Sequence, residues 1–260
     1  MKNSLPKLTV VTILFIIIFW ELVCVVFNMP EYLLPAPHNV LAKIYQKWDV
    51  LLLHSWVTLR EIMSGFAIGV AAGFIIAVGI SSSRKLSEVL YPLLIITQVV
   101  PKIALAPLFL IWFGYGLLPK VIIAALISFF PVVINTTLGL TYIDSELLDL
   151  MRSISATSYQ VFRKVRLPNA IPYIFSALKI SVLFSIVGAI TGEFVGADKG
   201  LGYLIIIGNT TLDTSLLFAS LTVISFIGIL CFAGMTGLQK VISERYGGAF
   251  TIEKEIVSSV

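Results

Sequence analysis

Six long apolar stretches decide what this chain can fold into. They run approximately over Thr9–Phe27, Ile62–Ser81, Val89–Phe113, Val121–Ile143, Ile171–Val195 and Leu216–Leu238. Each is near the ~20 residues that a helix needs to cross ~30 Å of hydrocarbon. Inside a bilayer every backbone N–H and C=O must find an internal partner, so stretches of this length resolve into helices. The expected fold class is an all-α integral membrane protein with six transmembrane helices. Composition agrees, since 58% of the 260 residues are hydrophobic and 12% are charged, against roughly 45–50% and about 25% in soluble domains. The first stretch follows Lys2 and Lys7 and so has to be weighed as a signal peptide. It is longer than the roughly 7–15 apolar residues of a signal core, and Asn28-Met29-Pro30-Glu31 offers no small-x-small cleavage site. A retained membrane helix is the expectation.

Orientation follows from charge. With an inside N-terminus and alternating spans, Lys2, Lys7, Arg84, Lys85, Arg152, Arg163, Lys164, Arg166, Lys179, Lys240, Arg245 and Lys254 fall on the cytoplasmic side. Lys43, Lys47, Arg60, Lys120 and Lys199 fall outside, and Lys102 lies within a span. Twelve basic residues against five favour both termini in the cytoplasm, because short loops rich in Lys and Arg stay inside. The net charge of +4 therefore reads as topology, not as nucleic-acid binding. Cys24 and Cys231 lie in apolar stretches, which argues against a structural disulfide, and no metal-ligand spacing occurs. With no tandem repeat, low-complexity tract or soluble segment, residues 1–260 read as one membrane domain.

Several spans carry breakers. The third contains Pro101 and Pro107, the fourth Pro131, and the fifth opens near Pro168 and Pro172. A proline frees a backbone carbonyl, which a membrane tolerates only where a neighbour or a cavity satisfies it. Gly65, Gly69 and Gly73 recur every fourth residue and predict a close-packing face, either inside the fold or between subunits. In the outside segment Asn28–Ser55, a helix is expected from His38-Asn39, with Val40, Leu41, Ile44 and Trp48 on one face lying at the membrane surface.

The polar interruption Asp144–Pro168 reads DSELLDLMRSISATSYQVFRKVRLP. Leu147, Leu150/Met151 and Ile154 recur at helical spacing, as do Tyr159, Phe162 and Val165. Two short amphipathic helices joined around Ser155–Ser158 fit this pattern, and a basic element of this size between two spans is there to meet a partner. Catalysis is not indicated: His38 and His54 have no carboxylate at useful spacing, and no G-x-x-x-x-G-K-[ST] loop is present to cradle ATP.

The same interval resembles the "EAA" loop of binding-protein-dependent ABC importer permeases. Asp149-Leu150-Met151 stands for E-A-A, Ser155 (followed by Ala156) for the glycine four residues on, and Val165-Arg166-Leu167-Pro168 for the closing I-x-L-P, with Arg152 in between. The spacing matches, and the closing Leu-Pro is identical. Flanking segments LLPAPHNVLAKI (Leu33–Ile44), PKIALAPLFLIWFGYG (Pro101–Gly116), FFPVVINTTLGL (Phe129–Leu140) and EFVGADKGLGYLI (Glu193–Ile205) resemble the nitrate/sulfonate/taurine/thiamine-precursor branch. The resemblance implies a type I ABC importer permease in a bacterial cell membrane. It also implies that the loop, with Asp149, Arg152, Ser155, Ala156, Val165, Leu167 and Pro168, forms a coupling helix docked on a separate ATPase that binds ATP and magnesium, with no cofactor in this chain. Further implied partners are an extracellular or periplasmic solute-binding protein, a second permease copy in a homodimer, and membrane lipid. The branch handles nitrate, sulfonates, taurine, thiamine precursors and riboflavin, so a small anion or a polar heterocycle is the expected cargo.

Ionisable residues within spans cost about 2.5–3.5 kcal/mol on insertion scales and so mark function by default. Lys102, next to Pro101, either lines the translocation path or pairs with Glu193 or a carbonyl to hold a kink. Gln98, one turn earlier, shares its face. Glu193 at the outer end of the fifth span serves a gate, receives the binding protein or plays a structural part, and Glu21 is read as a packing or interface residue. The competing reading, an ion-gradient-driven secondary transporter, predicts inverted repeats and several intramembrane acids; only Glu21 and Glu193 stand out.

Overall fold

The computed structural model describes residues 5–245. Lys2 and Lys254, counted in the charge asymmetry, and the two chain ends lie outside those residues. Among the described residues there is no strand. The helices are α1 (Leu5–Val26), α2 (Pro37–Gln46), α3 (Trp48–Ser82), α4 (Arg84–Val99), α5 (Ala106–Phe113), α6 (Leu117–Thr141), α7 (Ser145–Ser153), α8 (Ser158–Val161), α9 (Leu167–Gly196), α10 (Leu201–Thr210) and α11 (Thr214–Arg245). A 3₁₀ turn, Lys102–Leu105, precedes α5, and a π-helical turn, Phe162–Arg166, precedes α9. Five helices are singly long and apolar enough to cross a membrane, and α4 with α5 makes a sixth if that bent pair counts as one span.

Three expectations need correction. The second span begins at Trp48 and not at Ile62, giving a helix of 35 residues that takes in Arg60 and Glu61. Lys120 sits in the first turn of α6 and Lys179 within α9, so neither is a loop charge. The third span turns by 82° at the Val100-Pro101 break, but Pro107 causes no second break. It occupies the first turn of α5, where its missing N–H would have had no helical partner.

Contacts gather into two compact units, one of residues up to Thr58 with Ala197–Phe226, the other of Leu59–Gly196 with the residues from Ile227 on. In the first, polar bonds fasten the helix ends. Ala36, the residue before α2, offers no side-chain cap, and the Glu21 carboxylate does that work by accepting from the His38 N–H (3.3 Å) and ring Nδ1 (2.6 Å). Gly200 cannot cap α10; its N–H donates to His54 Nδ1 (2.9 Å) and the Leu201 N–H donates to Thr58 Oγ1 (2.8 Å). Lys43 on α2 donates to Asp213 Oδ2 at 2.9 Å. Of the apolar face expected on α2, Val40 is buried while Leu41 is exposed.

In the second unit, α6 and α9 pack along their length and α3 closes on α6 through the glycine series. A Cβ on Gly73 would lie 2.8 Å from Val132 Cβ, and one on Gly69 would lie 2.7 Å from the Ala125 carbonyl oxygen. The series is therefore an internal packing face, because only a missing side chain lets the two backbones approach this closely. Gly188 and Gly192 do the same for α9 against Ala124 and Lys120.

Candidate functional site

The broken third span builds a cavity. Pro101 cannot continue the hydrogen-bond ladder from α4, so the chain turns and sets Lys102 at the head of the 3₁₀ turn. Lys102, Gln98, Pro101 and Ile103 then line a cavity of about 520 Å³ together with Phe130, Pro131, Ile134 and Asn135 of α6 and Ile180, Phe184 and Val187 of α9. The Lys102 ammonium lies 4.4 Å from the centroid of the Phe130 ring, a cation–π contact that offsets part of its desolvation. The cavity is open on one side: Ile103, Ile180, Phe184 and Val187 keep 42–57% of their surface exposed. Asn135 donates its amide to the Pro131 carbonyl (2.9 Å).

Glu193 is elsewhere. It is fully buried beside Glu61, whose Oε1 accepts from Lys120 Nζ at 2.9 Å. Glu61 and Lys120 are buried too, so Glu193 of α9 meets the Glu61–Lys120 pair of α3 and α6 through Glu61. The expected partner of Lys102 thus belongs to Lys120's cluster. Gly192 explains the fit, since a Cβ there would stand 2.9 Å from Lys120 Cα.

The interval Asp144–Pro168 folds as α7, a tight turn, α8 and the π-helical turn. Asp144, not Asp149, caps α7 by accepting from the Glu146 N–H (3.0 Å). Asp149 lies within α7, exposed, and pairs with Arg152 at 2.9 Å. Ser155 adopts φ +53°, the left-handed conformation that favours glycine. The Ala156 N–H donates to the Met151 carbonyl and the Ser155 N–H to the Arg152 carbonyl, both at 2.9 Å; this is the Schellman pattern of a helix C-terminus. Pro168 has no N–H to give, and the Leu167 N–H reaches back five residues to Phe162, which is the π-turn. Two anchors hold the loop. Arg166 donates to the Ser81 carbonyl at the end of α3 (2.7 Å), and Asn169 donates to the Gly139 and Tyr142 carbonyls at the end of α6 (2.9 Å each). The apolar residues Leu147, Leu150 and Ile154 remain exposed.

A family model described as binding-protein-dependent transport system inner membrane component matches residues 69–248. The chain belongs to that family. This permease is 38% identical to a probable ABC transporter permease protein of Haemophilus influenzae over 88% of its own length and 93% of that protein's. It is 32% identical to a formylaminopyrimidine transport permease of Halalkalibacterium halodurans over 88% and 92% of the two lengths. Among solved structures, an inward-facing MetNI methionine ABC transporter chain superposes with a TM-score of 0.67 at 20% identity, covering 76% of this chain and 98% of that one; that likeness concerns the fold. The permease is therefore a multi-pass inner-membrane subunit of an ABC importer, a transport component and not an enzyme. Membership brings with it an ATPase subunit and a solute-binding protein as partners, and it displaces the ion-gradient alternative.

Sequence reasoning missed Glu61 and Lys120 because both sat just outside the spans drawn on hydropathy. A signal existed for Glu61. Leu51, His54, Thr58, Glu61, Gly65, Gly69 and Gly73 follow one another at spacings of three and four, the stripe that one face of a continuous helix requires. Arg166 and Asn169 carried no such signal, since their partners are carbonyls distant in sequence.

Proposed function

We propose that this permease forms half of a homodimeric pore, with both termini cytoplasmic, that it docks the ATPase through Asp144–Pro168, and that it passes substrate along the Lys102 cavity. One observation carries the coupling reading: Leu147 and Leu150 of α7 and Ile154 at its end are 48–64% exposed. A short amphipathic helix anchored at its base by Arg166 and Asn169, yet apolar on its free side, is suited to a groove on a partner. ATP and magnesium belong to that partner. Its closure on ATP would move the anchored loop and, through Arg166 and Asn169, the ends of α3 and α6. The cargo is a small anion such as a sulfonate, taurine or nitrate, or a polar heterocycle such as a thiamine precursor or riboflavin. A single lysine at the cavity and the name of the 32% identical relative support this range.

The test is a pair of loop variants. Asp149→Lys combined with Ser155→Trp should leave the membrane dimer folded but lose the ATPase on copurification, because charge reversal and a bulky ring occupy the docking face. Ser155→Gly, which suits the left-handed turn, should retain it. A full ATPase complement and normal uptake in the double variant would remove this loop as the docking element.

A further inference from the structure

We propose that the Lys102 cavity is a transit site for a flat heterocycle bearing both hydrogen-bond donors and acceptors, and that small oxyanions are not its ligands. The proposal rests on the reading that this cavity belongs to the translocation path. Three features of the lining carry it. First, among the described residues Lys102 is the one charged residue of the lining, with the Gln98 amide beside it, and its ammonium already faces the Phe130 ring at 4.4 Å. A small oxyanion gives up a tight hydration shell only to several N–H donors at once, most often a guanidinium fork or a row of amides. Second, Asn135 spends one amide hydrogen on the Pro131 carbonyl at 2.9 Å, and its Oδ1 stays available to accept. That oxygen repels an oxyanion and accepts from a ring N–H or an exocyclic amine. Lys102 as donor and Asn135 as acceptor match the mixed edge of a pyrimidine-like ring. Third, the walls are apolar and partly aromatic: the half-exposed Phe184 from α9 offers π surface for stacking. The volume of about 520 Å³ lies in the range of roughly 300–1,000 Å³ usual for organic ligands.

The experiment uses the full-length permease with its ATPase in nanodiscs, probed by saturation-transfer NMR with cytosine and, separately, with taurine. Cytosine ring protons should be saturated and taurine methylenes should not. Phe184→Leu should weaken the cytosine effect roughly fivefold through lost stacking, and Asn135→Leu by a similar factor through the lost acceptor. Ile180→Trp, at an exposed position, should abolish it by filling the cavity and serves if Asn135→Leu does not fold. Taurine binding in place of cytosine would overturn the ligand class and leave the path intact. Binding of neither probe, or cytosine binding untouched by the three variants, would overturn the site. Ile180→Cys, blocked by a thiol reagent in the assembled transporter with its loaded binding protein, tests the path separately. Uptake unchanged by the block would remove the path reading itself.

Discussion

Lys102 and Lys120 are the same residue type in neighbouring segments of one unit, yet they solve the problem of a charge among apolar helices in opposite ways. Lys120 is buried, paired with Glu61 at 2.9 Å and flanked by Glu193, with Gly192 pressed against its backbone. Lys102 is half-buried at the rim of an open cavity and rests on one aromatic face. The difference separates a lysine that fastens helices to one another from one that is left at the edge of an open cavity. A buried ion pair ties α3 to α6 because losing either partner strands a charge. A cation held only by a ring can exchange that contact for a passing ligand at modest cost.

Lys120→Met puts this contrast to its hardest test. It leaves Glu61 without its partner and should lower stability by about 3–5 kcal/mol, read as a large fall in melting temperature or a loss of folded yield. A melting temperature within a degree or two of the wild type would mean that the cluster does not hold the unit together. Gly192→Leu probes the same seam without touching a charge. Overpacking against Lys120 should cost about 1–3 kcal/mol, and a neutral outcome would show that α9 can shift away from α6.

Lys102→Met should cost at most about 2 kcal/mol, the upper end of a cation–π contact, while uptake falls and basal ATPase activity persists. A stability loss as large as that of Lys120→Met, with uptake per folded transporter unchanged, would erase the distinction between the two lysines. A third lysine sets the lower end of the scale. Lys43 meets Asp213 at 2.9 Å with both side chains part-exposed, so Lys43→Met should cost about 0–1 kcal/mol. Burial alone would raise the Asp213 pKa, but the bonds from Lys43 and the Leu216 N–H and the charges of Lys43 and Lys47 outweigh it and lower it below its ordinary 3.8. A depressed carboxylate stabilises the fold above the ordinary aspartate pKa, and that contribution drains away as pH falls through the depressed value. Thermal unfolding below pH ~4 should thus be less steep with pH in Lys43→Met than in the wild type; identical acid limbs would show that the pair does not contribute.

How far each lysine could be read in advance follows from what hydropathy measures. Lys102 stood out because apolar residues flank it on both sides. Lys120 did not, because Gly114, Gly116 and Pro119 just before it look like a loop, and the helix start at Leu117 emerges only when α6 packs. In the interval Asp144–Pro168, the spacing pointed to the turn at Ser155 through the resemblance to a glycine, and the left-handed φ is found there. The capping residue was another matter. Asp149 stands at the family's acidic position, but α7 begins at Ser145 and its cap is Asp144, five residues before Asp149.

The sequence alone determined the class of molecule. Apolar runs of bilayer length resolve into helices, Pro101 marks where the third span turns, and the loop with its flanking segments resembles the family that the chain belongs to. Tertiary structure decided which charges are paired, which face of α3 meets α6, and which polar groups surround the cavity. Those outcomes depend on contacts between residues tens of positions apart, such as Glu61 with Lys120 or Arg166 with Ser81. Local periodicity carries no record of them, because a helix's sequence specifies its own faces and not the neighbour that will cover each one.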